Sequence, residues 1–376
     1  MRDAFLGRRG GDLDLVAPPG SAEKLATELA ARAGSRVVPI GAPPKRILKV
    51  PFRSHAIDVW EETGDPAADL LRRDFTVNAL SFSLPEGTFA SAPGALADLK
   101  AKRLAPPRRG VFLEDPLRVL RAARFLAELP EFRVVRRSTP ELKKAAKFLR
   151  MVPAERRLVE WDKLLAATTA GRVRALRFMS RIGALQSLLL GTAPRERRRG
   201  ISLVGRLGKP DARVARSLLL LPLGKERALD LLGGWKVSRE ELRLASRLFA
   251  LPLHGPRRAA TSRDVATLLR LSSPFEAEST GFLLAAGDSR ARELARAAQS
   301  ILRRPATLRG ILKPTRPLPF AEISSLLGLR EGPDLGRALD AFDLALASSE
   351  IRGPRAARTW LRRPRPLLGA RQPPLK

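Results

Sequence analysis

The feature that most restricts the fold is a change of period near Pro116. Before it, short β-branched runs alternate with Gly and Pro; after it, strand signals nearly vanish. Leu-rich and Arg-rich segments at helical spacing then continue to about Ser349. At 376 residues the chain is too long for one ordinary core, so an α/β head followed by separate helical domains is expected. In the head, Ser21 is placed to N-cap a helix over Ala22 to Arg32 that Gly34 stops. Strand runs follow at Val37–Ile40, Ile47–Val50 and Ala56–Trp60. The segment from Gly191 to Gly200, with its Arg run, reads as a linker or exposed loop. The stretch from Arg352 to Lys376, rich in Pro and Arg, reads as a flexible basic tail. No tandem repeat of fixed period is present.

Composition narrows the chemistry. With 0 Cys and only His55 and His254, disulfides, thiolate metal sites and histidine-rich metal sites are excluded, so a catalytic metal must be held by carboxylates. Lys and Arg number 70 against 38 acidic residues, and the resulting +32 points to a polyanionic partner, nucleic acid ahead of an anionic membrane. The basic residues run along the whole chain instead of one amphipathic segment, which disfavours the membrane. A chain that is Arg-rich for compositional reasons alone would also be basic. No apolar run approaches the roughly 20 residues that span a bilayer. The N-terminus has no basic segment followed by an apolar one, so a cytoplasmic location is expected.

Several residues carry candidate chemistry. Asp12-Leu13-Asp14 follows Gly10-Gly11 in an alternating segment, which in a strand points both carboxylates to one face, where they can hold Mg²⁺. A solvated turn would use the same residues. Asp58 lies between apolar neighbours in His55-Ala56-Ile57-Asp58-Val59-Trp60, a setting in which a charged carboxylate needs a cation or hydrogen-bond donors. Asp115 before Pro116 is an ordinary helix start. Arg118, three residues on, shares its face, and together they can read a base edge by accepting from an amino group and donating to ring acceptors. Phe148 and Met151 read as core, and Trp60 and Trp161 as packing residues.

These segments, taken in order, resemble the tRNA nucleotidyltransferase and bacterial poly(A) polymerase family. Arg2-Asp3-Ala4-Phe5-Leu6-Gly7-Arg8 with Asp12-Leu13-Asp14 is similar to its first motif, and Arg72-Arg73-Asp74-Phe75-Thr76-Val77-Asn78-Ala79-Leu80 to its second. Glu114-Asp115-Pro116-Leu117-Arg118-Val119-Leu120-Arg121-Ala122-Ala123-Arg124-Phe125 resembles the nucleotide-selecting motif. Val152-Pro153-Ala154-Glu155-Arg156 with Glu160 and Lys163-Leu164-Leu165 resembles the last. The resemblance covers Met1 to about Ala167, with a fainter echo at Leu327 to Gly336 of the family's helical RNA-binding tail.

The resemblance implies an α+β fold, a polymerase-β-like head over residues 1–106, a helical neck over 107–190, a helical body and tail over 191–351, and a basic tail over 352–376. It implies Asp12 and Asp14 as ligands of two Mg²⁺ ions, with Asp58 as third acid. It also implies nucleotide contacts from Arg2, Asp3, Arg73, Asp74 and Asn78. Asp115 and Arg118 become a protein template that accepts CTP and ATP, and Arg121 and Arg124 either meet phosphate or stay solvated. The expected activity is template-independent transfer of CMP or AMP to the tRNA 3′ end, with poly(A) polymerase and a non-catalytic RNA-binding protein as rivals.

The sequence departs from the family pattern in places. It begins at Met1 directly before Arg2-Asp3, without the family's upstream strand and Gly-Gly, so an edge strand and part of the phosphate site are expected to be missing. The connection from Val59 to Arg72 is short, as in enzymes that add only CC, and the family's Asp-Pro-x-Gly-Gly is reduced to Ala92-Pro93-Gly94-Ala95 although Asp98-Leu99 remains.

Overall fold

A computed structural model describes residues 1–363 apart from 9–10, 12, 42–45, 54, 63 and 85. The chain forms two compact units, one of residues 1–157 with 178–188 and one of 158–177 with 189 onward.

The first unit opens with α1 (Arg2–Phe5), β1 (Leu13–Ala17), α2 (Ala22–Ala33), β2 (Val38–Ile40), β3 (Ile47–Phe52) and β4 (His55–Glu61). Its 4-stranded sheet has the order β1-β4-β3-β2, with β1 parallel to β4 and the other pairs antiparallel. Ala22, Ala26 and Ala30 form a stripe of small side chains at helical spacing on α2. They pack with Ala17, Leu48, Val50 and Val59 on one sheet face. Burying this face fixes the register, because a slip by one residue would turn every apolar side chain outward. The boundaries agree with the sequence reading, and Gly34 closes α2 in the left-handed region at φ 60°. Ser21 stands at the N-cap, but its hydroxyl makes no capping hydrogen bond.

The rest of this unit is α3 (Pro66–Arg72), a 3₁₀ turn over Thr76–Asn78, a hairpin of β5 (Leu80–Phe82) and β6 (Phe89–Ser91), and α4 (Ala95–Lys100). Next come β7 (Arg103–Leu104), α5 (Val111–Glu114), α6 (Leu117–Glu128), β8 (Arg133–Val134), parallel to β7, and α7 (Thr139–Ala146). Phe75, Phe112 and Phe125 are buried together, with the Phe75 ring 5.7 Å from Phe112 and 5.6 Å from Phe125. They weld the segment after α3 to α5 and α6. Phe148 and Met151, expected in the core, are 41% and 80% exposed. The turn they occupy buries Leu149 instead.

Helices α8 (Ala154–Leu165), α9 (Thr169–Arg181) and α10 (Ala184–Leu188) follow. The second unit continues through α11 (Pro194–Val204), α12 (Ala212–Leu220), α13 (Lys225–Gly234), α14 (Arg239–Leu248), α15 (Ser262–Ser272) and α16 (Glu276–Ala286). It ends with α17 (Ser289–Leu302), α18 (Pro305–Leu312), α19 (Phe320–Leu327), α20 (Pro333–Ala347) and α21 (Gly353–Leu361). Within it Arg216 is buried and grips Glu241 with Nε at 2.7 Å and a terminal nitrogen at 2.8 Å. Trp161 packs edge-on to Trp235 at 5.8 Å.

Two expectations are corrected here. The Gly191 to Gly200 segment is not a loop, since most of it is the first half of α11. Pro194 starts the helix, the Glu196 carboxylate accepts the Ala193 N–H at 2.6 Å, and Arg197 folds inward to the Thr192 hydroxyl at 2.9 Å. Gly200 serves close approach, as an added Cβ would lie 2.2 Å from the Leu219 carbonyl oxygen. Residues 352–361 are likewise ordered: α21 buries Ala357 and Leu361 against Ile323, Phe342 and Ile351. Its apolar residues recur at helical spacing, a pattern masked by the surrounding Pro and Arg. Residues 364–376 lie outside the described residues.

A Gly→Ala change inside a helix ordinarily stabilises by about 1 kcal/mol. At Gly200 the backbone clash reverses the sign, and Gly200→Ala is expected to cost about 2 kcal/mol and lower the thermal midpoint by roughly 5 °C. Differential scanning calorimetry of the two proteins checks this; an unchanged or raised midpoint contradicts the packing described.

Candidate active site

The uncovered face of the head sheet carries a charged row. Alternation along β4 sends Val59 and Ile57 toward α2 and Asp58 to the opposite face. Across the sheet Asp58 is in register with Asp14 on β1 and with Lys49 on β3. Adjacent strands lie about 4.8 Å apart, so the two carboxylates are neighbours, and like charges so placed repel. The Lys49 ammonium is 2.6 Å from Asp58 Oδ1. The contact is an ion pair, and that buried oxygen accepts no hydrogen bond among the described residues. Asp12 lies outside the described residues, and among those described no three His, Asp or Glu side chains form a metal-sized cluster. Two neighbouring carboxylates facing a single ammonium leave net negative charge and hard oxygen donors, which fits a divalent cation such as Mg²⁺.

A polar network is built around the 3₁₀ turn at Thr76–Asn78. Asp74 is 5% exposed, and its Oδ1 accepts from the Phe75 N–H at 2.8 Å and the Asn78 side-chain amide at 2.9 Å. Its Oδ2 accepts from Arg121 Nε at 2.6 Å. Asn78 Oδ1 in turn accepts from Arg2 at 2.9 Å, and Arg2 also donates to both carboxylate oxygens of Asp3. Burial alone would push the Asp74 carboxyl up. The Arg121 charge, the Asn78 and Arg121 hydrogen bonds and the Phe75 N–H outweigh it and hold Asp74 below the ordinary 3.8. Beneath the turn, the Thr76 hydroxyl donates to Asp98 Oδ2 at 2.8 Å, and Arg103 Nε donates to the other oxygen at 2.8 Å. The Asp98 that survives from the eroded segment thus braces the turn.

Arg73 does not pair with Asp74. It donates to Asp69 one helical turn back and lies over the Trp60 ring at 5.8 Å. At the α6 start, Asp115 Oδ1 accepts from the Leu117 N–H at 3.1 Å, so the residue does cap the helix. Its Oδ2 takes an ion pair from Arg156 at 3.0 Å. Arg118 donates to the carbonyls of Val111, at 2.9 Å, and Arg72. Arg124 is 8% exposed, 3.6 Å from Glu128 and over the Phe125 ring, which makes it a buried residue and not a solvated one. The structure therefore gathers Arg2, Asp3, Asp74, Asn78 and Arg121 into one network and aligns Asp14 with Asp58.

Sequence reasoning missed three partners: Lys49, Arg156 and Asp69. The signal for Lys49 was present, a lone charge inside the apolar run Ile47-Leu48-Lys49-Val50.

A polymerase-β-like head with paired carboxylates on its open sheet face, followed by helices, defines a nucleotidyltransferase. Residues 1–105 match the Poly A polymerase head domain family. The CC-adding tRNA nucleotidyltransferase of Thermus thermophilus is 29% identical over 407 residues, covering 96% of this chain and 91% of that protein. The A-adding tRNA nucleotidyltransferase of Aquifex aeolicus is 36% identical over 181 residues, covering 44% of this chain and 22% of that protein. A solved structure of the Thermotoga maritima CCA-adding enzyme with tRNA has a TM-score of 0.67 at 18% identity, covering 96% of this chain and 88% of that one, a likeness of fold. The chain is thus similar to class II tRNA nucleotidyltransferases, in its head by the family match and along its length by the Thermus thermophilus relative.

Asp74→Asn keeps the shape but leaves Arg121 without its charge partner, and is expected to cost on the order of 2 kcal/mol, moderated because Arg121 is about a third exposed. Because the folded value is depressed, this contribution is present above the unfolded value and is lost as the pH falls through the folded one. Urea denaturation should show a constant gap between wild type and Asp74→Asn from about pH 8 to about pH 5, closing below about pH 4. A gap that widens in acid contradicts the assignment.

Proposed function

We propose that this chain extends the 3′ end of tRNA with CMP taken from CTP and stops after two C residues. The observation that carries the transfer reaction is the Asp14–Asp58 register pair on the uncovered sheet face. Asp14, with Asp12 assigned beside it from the sequence, would hold Mg²⁺, which supplies acidification of the RNA 3′-hydroxyl and neutralisation of the triphosphate and departing pyrophosphate. Asp58 is the third acid. Asp74, Asn78, Arg2, Asp3 and Arg121 form a prearranged polar wall for the sugar and phosphates of the incoming nucleotide, with Arg73 beside it. Their hydrogen bonds are made before substrate arrives, so little ordering remains to be done on binding. Arg124, a buried residue of α6 itself, steadies that helix and adds positive potential.

Base choice falls to Asp115 and Arg118. Cytosine and adenine each offer an amino group to a carboxylate, whereas uracil and guanine put a carbonyl there. An unmet carboxylate costs at least about 1–3 kcal/mol, roughly tenfold to a hundredfold in discrimination. The restriction to CC rests on the connection between β4, which ends at Glu61, and α3, which starts at Pro66. So short a segment leaves little chain to rearrange a site from CTP to ATP, and the full-length relative named above is CC-adding. The +32 charge suits tRNA as the partner. Among the described residues no helix is long and apolar enough to cross a membrane.

Incubating a tRNA that lacks its terminus with CTP and ATP together, then sequencing its 3′ end, should return two added C residues. A complete CCA end overturns the CC-only reading, a long A tract identifies a poly(A) polymerase, and no addition overturns the function. Asp14→Ala should abolish incorporation while tRNA retention on a filter persists. Asp115→Ala should narrow the CTP-over-UTP preference by about tenfold or more; a helix cap alone would cost about 1 kcal/mol of stability and leave selectivity intact.

A further inference from the structure

The charged row on the head sheet holds a residue with no part in the reaction described above. Lys49 sits between Leu48 and Val50, both buried under α2, so strand alternation fixes its side chain on the carboxylate face. There it is in register with Asp58, and its ammonium reaches Oδ1 at 2.6 Å with both side chains largely shielded from water. An ion bound to that oxygen would stand against the ammonium, two cations in contact. Asp14 lies on the other side of Asp58, further from Lys49 by one strand.

We infer that Lys49 is a positioning residue that neutralises Asp58 and holds it at the edge of the metal site, so that metal coordination from this sheet falls to Asp14 and not to Asp58. The inference rests on the nucleotidyltransferase reading of the site and deepens it. Under this arrangement the third acid of the head is tied down internally, and the divalent ion meets one fewer competing ligand. Removing the ammonium releases Asp58 to bind the ion directly.

The test is direct binding of Mn²⁺ to the full chain without nucleotide, followed by the paramagnetic resonance of the free ion. Four proteins are compared with wild type: Lys49→Met, Lys49→Arg, Asp58→Asn and the double Lys49→Met with Asp58→Asn. Lys49→Met should bind Mn²⁺ about tenfold more tightly, the scale on which one neighbouring charge shifts an ionisable site. Asp58→Asn alone leaves the Lys49 ammonium without its counter-charge and should weaken binding about tenfold, and the double variant should return to the wild-type value. Lys49→Arg should read as wild type, which a merely steric role for the side chain would not give. A double variant that binds tenfold more weakly than wild type, unchanged or weaker binding in Lys49→Met, or no binding in any of the proteins overturns the inference. A parallel CTP incorporation assay on the wild type separates the two failures: a normal Mn²⁺ pattern without incorporation sinks the function, and incorporation without the pattern sinks the role of Lys49.

Discussion

The ion pair between Asp74 and Arg121 is the interaction on which the first unit's site depends. Asp74 comes from the segment that leaves α3, Arg121 from the middle of α6, and they are separated by 47 positions in sequence. A carboxylate 5% exposed cannot stay charged without strong donors, and here three distinct groups supply them. One is the neighbouring backbone N–H, so the local turn and the distant helix are satisfied by the same acid. The Phe75, Phe112 and Phe125 cluster lies directly beneath and excludes the water that would otherwise screen the pair. Apolar packing brings the two segments together, and the ion pair fixes their angle and register.

From that pair the order spreads outward by hydrogen bonds. Asn78 donates to Asp74 and accepts from Arg2, so the turn serves as a bridge between α1 and α6. Thr76 and Asp98 hold the underside of the same turn. A side-chain network of this kind is stable only if each buried member is satisfied, and the partly buried Arg2 and Asp3 satisfy each other at its rim. The sheet obeys the opposite logic. Its α2 face is closed by alanine packing, while the other face leaves Asp58 Oδ1 without a donor and sets two carboxylates side by side. The tension is confined to the open face, where a cation can enter.

Much of this was legible in the sequence. Alternation at Ile47–Val50 and Ala56–Trp60 located β3 and β4, and the parity of β4 alone placed Asp58 opposite the apolar residues. The Asp115-Pro116 pair located the start of α6, and the capping role of Asp115 is seen in the structure. Other features were hidden because the same residue type serves opposite ends. Gly200 read as the end of an Arg-rich linker, yet it is the point where the backbone of α11 meets the backbone of α12. Phe148 and Met151 read as core, but the 3₁₀ turn over Leu149–Met151 points Leu149 inward and leaves both of them exposed. Arg156 as the partner of Asp115 was invisible, since nothing in a linear sequence joins residues 41 positions apart.

The arginines explain how a chain with a formal charge of +32 folds at all. On α11 Arg197 is drawn inward to Thr192, while Arg195, Arg198 and Arg199 stay exposed. Arg172 is fully buried against the Thr169 hydroxyl and the carbonyls of Ala167 and Leu207. Arg216 is buried against Glu241 and Asp162. Guanidinium suits both settings, because its planar fork can satisfy several carbonyls or one carboxylate at low desolvation cost, whereas an ammonium in those positions would lose its proton or its burial. The buried arginines therefore take the place of ordinary polar core residues. The surplus charge of the helical unit is displaced to its surface, where it attracts a phosphate backbone without opposing the core that supports it.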